Sequence, residues 1–128
     1  MNIEHALTID GWMAEVELLY LSLAASKRMA IAEIGSWMGR STSALAANCP
    51  GTVWAIDTWA GTANEAIHSE LIGNLNGGSL LDRFQANTAR YTNIQTCQRD
   101  SQSAAAWFAQ NGQKFDMIFI NTDCGNSK

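Results

Sequence analysis

AEIGSWMGRSTSALAA, residues 32–47, decides how this chain folds. An apolar run enters Gly35, only Ser36, Trp37 and Met38 separate it from Gly39, and a small-residue segment opening Arg40-Ser41-Thr42 follows. MAIAEIG (29–35) reads as a short buried strand. Residues 41–48 read as a helix, which Pro50-Gly51 stops. A strand that turns on glycine into a helix is a place where a ligand can meet backbone. Three ligands compete for it: a nucleotide phosphate, a dinucleotide, and a smaller nucleoside with an amino-acid tail.

Working outward, Asp10 precedes a segment in which Trp12, Met13, Val16, Leu19, Tyr20 and Leu23 recur at spacings of three and four, the period of an amphipathic helix. Glu15 and Glu17 near its start and Lys27 and Arg28 at its end suit the helix dipole. TVWAID (52–57) reads as a second buried strand, rich in β-branched and aromatic residues and closed by a carboxylate. Residues 64–75 look helical, Asn76-Gly77-Gly78 interrupts them, and 79–90 resume with Leu80, Leu81, Phe84 and Thr88 inward. IQTCQR (94–99) is a third strand. Asp100-Ser101 opens a helix through Gln110 that Gly112 ends, and FDMIFI (115–120) is a fourth strand before NTDCGNSK. Strands alternating with helices predict a doubly wound, Rossmann-like parallel α/β sheet. Ligands of such sheets bind at the carboxyl ends of the strands, near the point where strand order reverses. The expected rim therefore holds Gly35 to Arg40, Asp57 to Trp59, Asp100-Ser101 and Asn121 to Cys124.

The 128 residues make one domain's worth of chain. With 47% hydrophobic and 16% charged residues the chain has the balance of a globular protein. A net charge of −4 with scattered Lys and Arg gives no footprint for nucleic acid. No apolar run has membrane-spanning length and the N-terminus has no secretory pattern, so a cytoplasmic setting is expected. Cys49, Cys97 and Cys124 lack metal or disulfide spacing and read as reduced thiols.

The phosphate loop G-x-x-x-x-G-K-[ST] fits poorly, because the glycines stand one residue too close and Arg40 replaces the lysine. The dinucleotide fingerprint needs a glycine where Trp37 stands, although Asp57, 22 residues after Gly35, would suit a ribose. The third ligand needs a glycine turn, a ribose acid and an adenine acid. Glu33 with Gly35, then Asp57, then Asp100 close the first three strands in that order. In combination, EIGSWMGRST, VWAIDTW, the strand before Asp100-Ser101 and FDMIFI resemble the class I S-adenosylmethionine-dependent methyltransferases, over roughly residues 10 to 124.

The resemblance implies S-adenosylmethionine as cofactor and methyl transfer to a small acceptor that the sequence does not name. It implies that Gly35, Ser36 and Gly39 leave room for the methionine part, and that Glu33 orients its amino group or the surrounding loop. Asp57 would accept from both ribose hydroxyls, with Thr58 beside it, and Asp100 and Ser101 would meet the adenine. Trp59 would pack on the adenosine and Trp37 would face the sulfonium. Asn121 completes the site at the end of the fourth strand. Each has a plainer rival: a tight turn for the glycines, helix capping for Asp57 and Asp100. Trp12, Trp54 and Trp107 read as core. His5 and His68 have no evident partners.

Two departures stand out. The resembled branch ends its fourth strand in D-x-D-H, where this chain has Asn121-Thr122-Asp123-Cys124, so no metal site is expected and no catalytic base is evident. Four strands are present where the resembled fold has seven, so residues 1–128 read as its N-terminal half, apparently truncated. The outer edge of the fourth strand then needs cover from a second copy or another polypeptide. A cofactor-binding module without turnover, and an enzyme that cleaves the cofactor without an acceptor, are the rival functions.

Overall fold

Ala30–Ile34 forms β1, the strand on which the others are hung. It pairs in parallel with β2 (Thr52–Asp57) on one side and with β4 (Met117–Ile120) on the other. The third strand, β3 (Ile94–Gln98), extends the sheet beyond β2, giving the order β3-β2-β1-β4. The chain therefore steps outward from β1 to β3 and returns to the opposite side of β1. Strand order reverses between β1 and β4, and that junction carries the glycine turn. The computed structural model describes residues 1–60 and 79–121. The segment 64–75, Asn76-Gly77-Gly78, His68, Asp123 and Cys124 lie outside the described residues.

Four helices accompany the strands among the described residues: α1 (Glu15–Ala25), α2 (Arg40–Asn48), α3 (Leu80–Asn87) and α4 (Ser101–Gln110). A 3-10 turn at Ala6–Thr8 precedes them. Alternation along the strands sorts the core. Ile31 and Val53 pack with Leu21 and Ala25 of α1 and Leu45 and Ala46 of α2. Ala55 joins Met38, Trp59, Leu80 and Phe84 on the same face. Ala32, Ile56 and Cys97 point to the other face and meet Ala104 and Phe108 of α4. In α2 every residue from Ser41 to Ala46 is buried, and side chains this small let the helix lie close to both the sheet and α1. Ser79 caps α3 by accepting from Asp82 N–H. The cysteines Cys49 and Cys97 are free and buried.

The first helix corrects the sequence reading. It starts at Glu15, so Trp12 and Met13 precede it, and its buried residues are Leu18, Leu21, Ser22 and Ala25. Val16, Leu19, Tyr20 and Leu23, expected inward, are exposed. The helix is apolar on most of its circumference, so periodicity alone could not choose the face. Packing chose the one whose small residues, Ser22 and Ala25, allow close approach to α2. Trp12, expected in the core, is also exposed, while Trp54 and Trp107 pack half-buried against the α4 cluster.

Glu33 sits fully buried near the carboxyl end of β1. Ser36 Oγ donates to its Oε1 at 2.8 Å, and the hydroxyls of Ser41 and Thr42 also donate to the carboxylate. Three hydroxyls from the turn and from the first turn of α2 thus converge on one strand residue. Burial pushes the Glu33 carboxyl above its ordinary range, the hydroxyl hydrogen bonds pull against that, and Asp57 adds to the rise. At the other end of β1, Asp116 accepts from Met29 N–H at 3.0 Å and Ala30 N–H at 3.1 Å, which anchors the start of β4. Those backbone bonds hold its carboxyl below the ordinary range.

Two outcomes test this frame. A raised folded-state pKa at Glu33 contributes stability below the unfolded value near 4.5 that is lost as pH rises toward the folded value. Glu33→Gln should remove that slope, so the variant gains on wild type as pH rises above about 4.5 in urea titrations at successive pH values. A constant difference across pH would show that the carboxylate carries no such penalty. Gly35 has φ +89°, and a Cβ there would stand 2.5 Å from Asn121 O. Gly35→Ala should cost at least roughly 1–3 kcal/mol from left-handed strain alone. An unchanged urea midpoint would show that the turn yields.

Candidate functional site

The rim at the carboxyl end of the sheet is built from two turns that lean on one carboxylate. After β1 the chain turns at Gly35, and Trp37 takes a positive φ of 50°. After β2 it turns again, and Trp59 takes a φ of 54°. Left-handed backbone is uncommon for bulky side chains and each such residue costs on the order of 1–3 kcal/mol, so something must hold both. Asp57 does: Oδ2 accepts from Trp37 N–H and Oδ1 from Trp59 N–H, each at 2.9 Å. Trp59 Nε1 then donates to Trp37 O at 2.7 Å, closing the two turns into one unit. Each Asp57 oxygen takes one backbone donor, which leaves a second acceptor position on each.

Glu33 lies beneath this unit, shut off from solvent by its three hydroxyls. It holds the loop through these bonds. Gly39, expected to leave room for the cofactor, is buried as the N-cap of α2 with φ +99°. The space where its Cβ would go is filled by Thr88 Cγ2, 2.7 Å away, just past the end of α3. Asn87 of α3 also donates to Met38 O at 2.9 Å. Trp59 is 5% exposed and packs on Phe84, with ring centroids 4.9 Å apart, so its indole is part of the core.

Asp100 caps α4: its Oδ1 accepts from Ser103 N–H at 2.7 Å, the plainer of its two readings. It remains exposed at the rim beside Ser101. Thr58 is exposed as well, and its carbonyl accepts from Gln98 Nε2 at 3.3 Å. Thr58, Gln98 and Asp100 line one open groove of about 650 Å³, with Trp54 and Trp107 in its wall. Ser36, Trp37 and Asn121 line a second, small depression at the β1–β4 junction. Asn121 N–H donates to Ile34 O at 2.9 Å, which sets the β4 end against the glycine turn. Asp57 links the two hollows, bonded to Trp37 of one and adjacent in sequence to Thr58 of the other.

The sequence reading missed the strap that roofs the smaller hollow. Arg40 Nε donates to Met13 O at 3.0 Å, and its Nη1 donates to Ile9 O at 2.8 Å and Ala6 O at 3.3 Å. Gly11 lies against the Arg40 stem, where a Cβ would come within 2.6 Å of Cδ. Held in this way, Trp12 stacks on Trp37 with centroids 4.8 Å apart. Under the strap only about 20 Å³ is open, the space of about one water. The signal was present in Gly11-Trp12, where a glycine interrupts the segment just before the helix, and in Arg40, which answers carbonyls and not phosphate. His5 also finds partners: its Nε2 lies 2.5 Å from Asn87 O and its ring meets Tyr91 edge-on. Among the described residues no three His, Cys, Asp or Glu side chains group as metal ligands, and no helix is long and apolar enough to cross a membrane.

This arrangement can be compared with known proteins. No curated protein matches the chain. A SAM-dependent methyltransferase of Agrobacterium tumefaciens superposes with a TM-score of 0.56 at 15% identity, covering 82% of this chain and 30% of that one. Cofactor-bound Rv0187 from MTB gives 0.56 at 16% identity, covering 94% of this chain and 51% of that one. An O-methyltransferase of Bacillus cereus solved in complex with SAH gives 0.51 at 19% identity, covering 94% and 54%. The chain therefore spans about half the length, or less, of these structures, and at such identities the likeness is one of fold. The family described as methyltransferase domain matches residues 32–127, from the middle of β1 onward. With that match over more than half its length and with this sheet, the chain belongs to the methyltransferase domain family and has the Rossmann-like fold of class I S-adenosylmethionine-dependent methyltransferases.

Proposed function

We propose that the chain binds S-adenosylmethionine along this rim and serves transfer of its methyl group to a small-molecule acceptor, with S-adenosylhomocysteine as the leaving group. The observation that carries the reading is Asp57, a half-buried carboxylate at the switch point whose oxygens each keep one acceptor position between two hollows. A ribose diol supplies two donors at that spacing. Thr58, Gln98 and Asp100 border the larger groove, where polar edges suit an adenine, and Ser101 follows Asp100 at the rim. Ser36, Trp37 and Asn121 border the smaller one, which suits the methionine end. The sulfonium supplies an electrophilic methyl group. The chain's residues bind and orient it, and the Trp12–Trp37 indoles add a face that favours a cation by about 0.5 to 2 kcal/mol.

The hollow under the strap holds about one water as it stands, so Trp12 has to shift when the amino-acid tail enters. A second reading, a binding module without turnover, draws support from Asn121, an amide at the strand end where a carboxylate would serve as a base.

Calorimetric titration with S-adenosylmethionine and S-adenosylhomocysteine should give one site per chain, while NAD and ATP give none. Asp57→Asn should weaken binding about tenfold or more, since hydrogen bonds to a charged group contribute about 1.5 to 3 kcal/mol. Near-UV circular dichroism on the same sample checks that both turns persist. No heat from a folded wild-type protein would sink the reading. Methyl transfer to a panel of hydroxyl and amine acceptors separates enzyme from module. Tryptophan emission should shift on binding, and Trp12→Phe should remove most of that shift. An equal shift in the variant would show that the strap stays still.

A further inference from the structure

We infer that the strap at residues 9–13 competes with the amino-acid tail of the ligand: Arg40 latches it shut, Trp12 takes the tail's place on Trp37, and the two residues set which nucleosides the free chain admits. The inference rests on the rim binding S-adenosylmethionine. Arg40 opens α2, and its Nε donates to Met13 O at 3.0 Å while Nη1 donates to Ile9 O at 2.8 Å, Ala6 O at 3.3 Å and Leu7 O at 3.4 Å. One side chain ties both ends of the strap. Only Asp10, Gly11 and Trp12 run between the anchored carbonyls of Ile9 and Met13, and Gly11 lets the backbone lie on the Arg40 stem, where a Cβ would meet Cδ at 2.6 Å. Just beyond, Ala14 N–H donates to Glu17 Oε1 at 2.7 Å, so the opening of α1 fixes the far end as well.

What this short loop carries is an indole. Trp12 is 55% exposed, so its position gains little from burial, yet its ring stacks on Trp37 at 4.8 Å and closes the smaller hollow. The open space of about 20 Å³ left beneath it takes one water and excludes a chain ending in an amino group and a carboxylate. A closed strap and a seated tail therefore exclude each other. The apparent affinity for a nucleoside with such a tail is its intrinsic affinity multiplied by the fraction of chains whose strap is open. A nucleoside without the tail escapes this penalty, because it needs Asp57 and the larger groove, and none of residues 9–13 lines that groove. Arg40 thereby disfavours tailed ligands without touching them. Its planar fork of donors reaches several carbonyls at once, which the point charge of a lysine does not reproduce.

Calorimetric titration of wild type, Arg40→Lys and Trp12→Ala with two probes tests it. S-adenosylhomocysteine carries the tail but no sulfonium, so loss of an aromatic face over a cation does not enter; 5′-methylthioadenosine keeps the adenosine and the thioether and lacks the tail. Both variants should bind S-adenosylhomocysteine more tightly than wild type, by about fivefold or more, the lower end of ordinary coupling between two events on one chain. Their affinity for 5′-methylthioadenosine should stay at the wild-type value. Trp12 is exposed and its variant retains the Arg40 bonds, so it decides the matter even where Arg40→Lys disturbs folding. In the free chain, the far-UV circular dichroism component that Trp12→Ala removes comes from the coupled indoles, and Arg40→Lys should diminish it. Weaker binding of S-adenosylhomocysteine by Arg40→Lys would overturn the inference by showing that Arg40 holds the tail itself. An equal change for both probes, or none for either, would overturn it while leaving the cofactor site in place. If neither probe binds the folded wild-type chain, the cofactor site fails and takes this inference with it.

Discussion

A carboxylate within a buried strand has to be satisfied or it will not stay there, and Glu33 makes the fold answer that demand. Without hydrogen bonds, burying such a group would cost far more than a strand residue contributes. Ser36, Ser41 and Thr42 supply the donors, and all three come from the turn and helix that follow β1. The interaction therefore dictates where the glycine turn sits and at what angle α2 leaves it. It also explains why α2 opens on small hydroxyl residues: larger ones would not fit against the sheet, and apolar ones would leave Glu33 unpaired. A polar cluster of this kind stabilises less than an apolar core of equal volume would, but it specifies one geometry.

Asp57 repeats the device one strand along and nearer to solvent. Glu33 is consumed by the fold, whereas Asp57 spends half of its acceptor capacity on two strained tryptophan turns and keeps the rest at the rim. The division separates a residue whose hydrogen bonds are all turned inward from one that keeps acceptors at the rim. Arg40 adds a third tie, drawing the N-terminal segment over the junction of β1 and β4 through backbone carbonyls. The rim is thus a set of turns pinned by charged side chains to backbone.

Much of this was legible in the residues themselves. Strands 52–57, 94–98 and the core of 30–34, the α2 and α4 helices, and the parallel order all follow from short apolar runs punctuated by Gly, Pro and capping residues, because those signals are local. The chemistry at each strand end was legible too, as a succession of Glu33, Asp57 and Asp100. Which of these acids is buried and which stays at the rim was not, since the burial of Glu33 and the bond from Trp37 to Asp57 depend on how separate strands and turns meet.

By itself the sequence determined the type and order of the elements and the kind of residue that closes each strand, since these rest on periodicity and on neighbours in the chain. Only the tertiary structure decided which face of α1 is buried, because a helix apolar on most sides carries no internal preference, and its contact with α2 supplies one. It likewise decided that Gly39 and Trp59 belong to packing and that Trp12 belongs to the rim. Those outcomes turn on where Thr88, Phe84 and Arg40 arrive in space, and contacts between residues tens of positions apart leave no periodic trace in the chain.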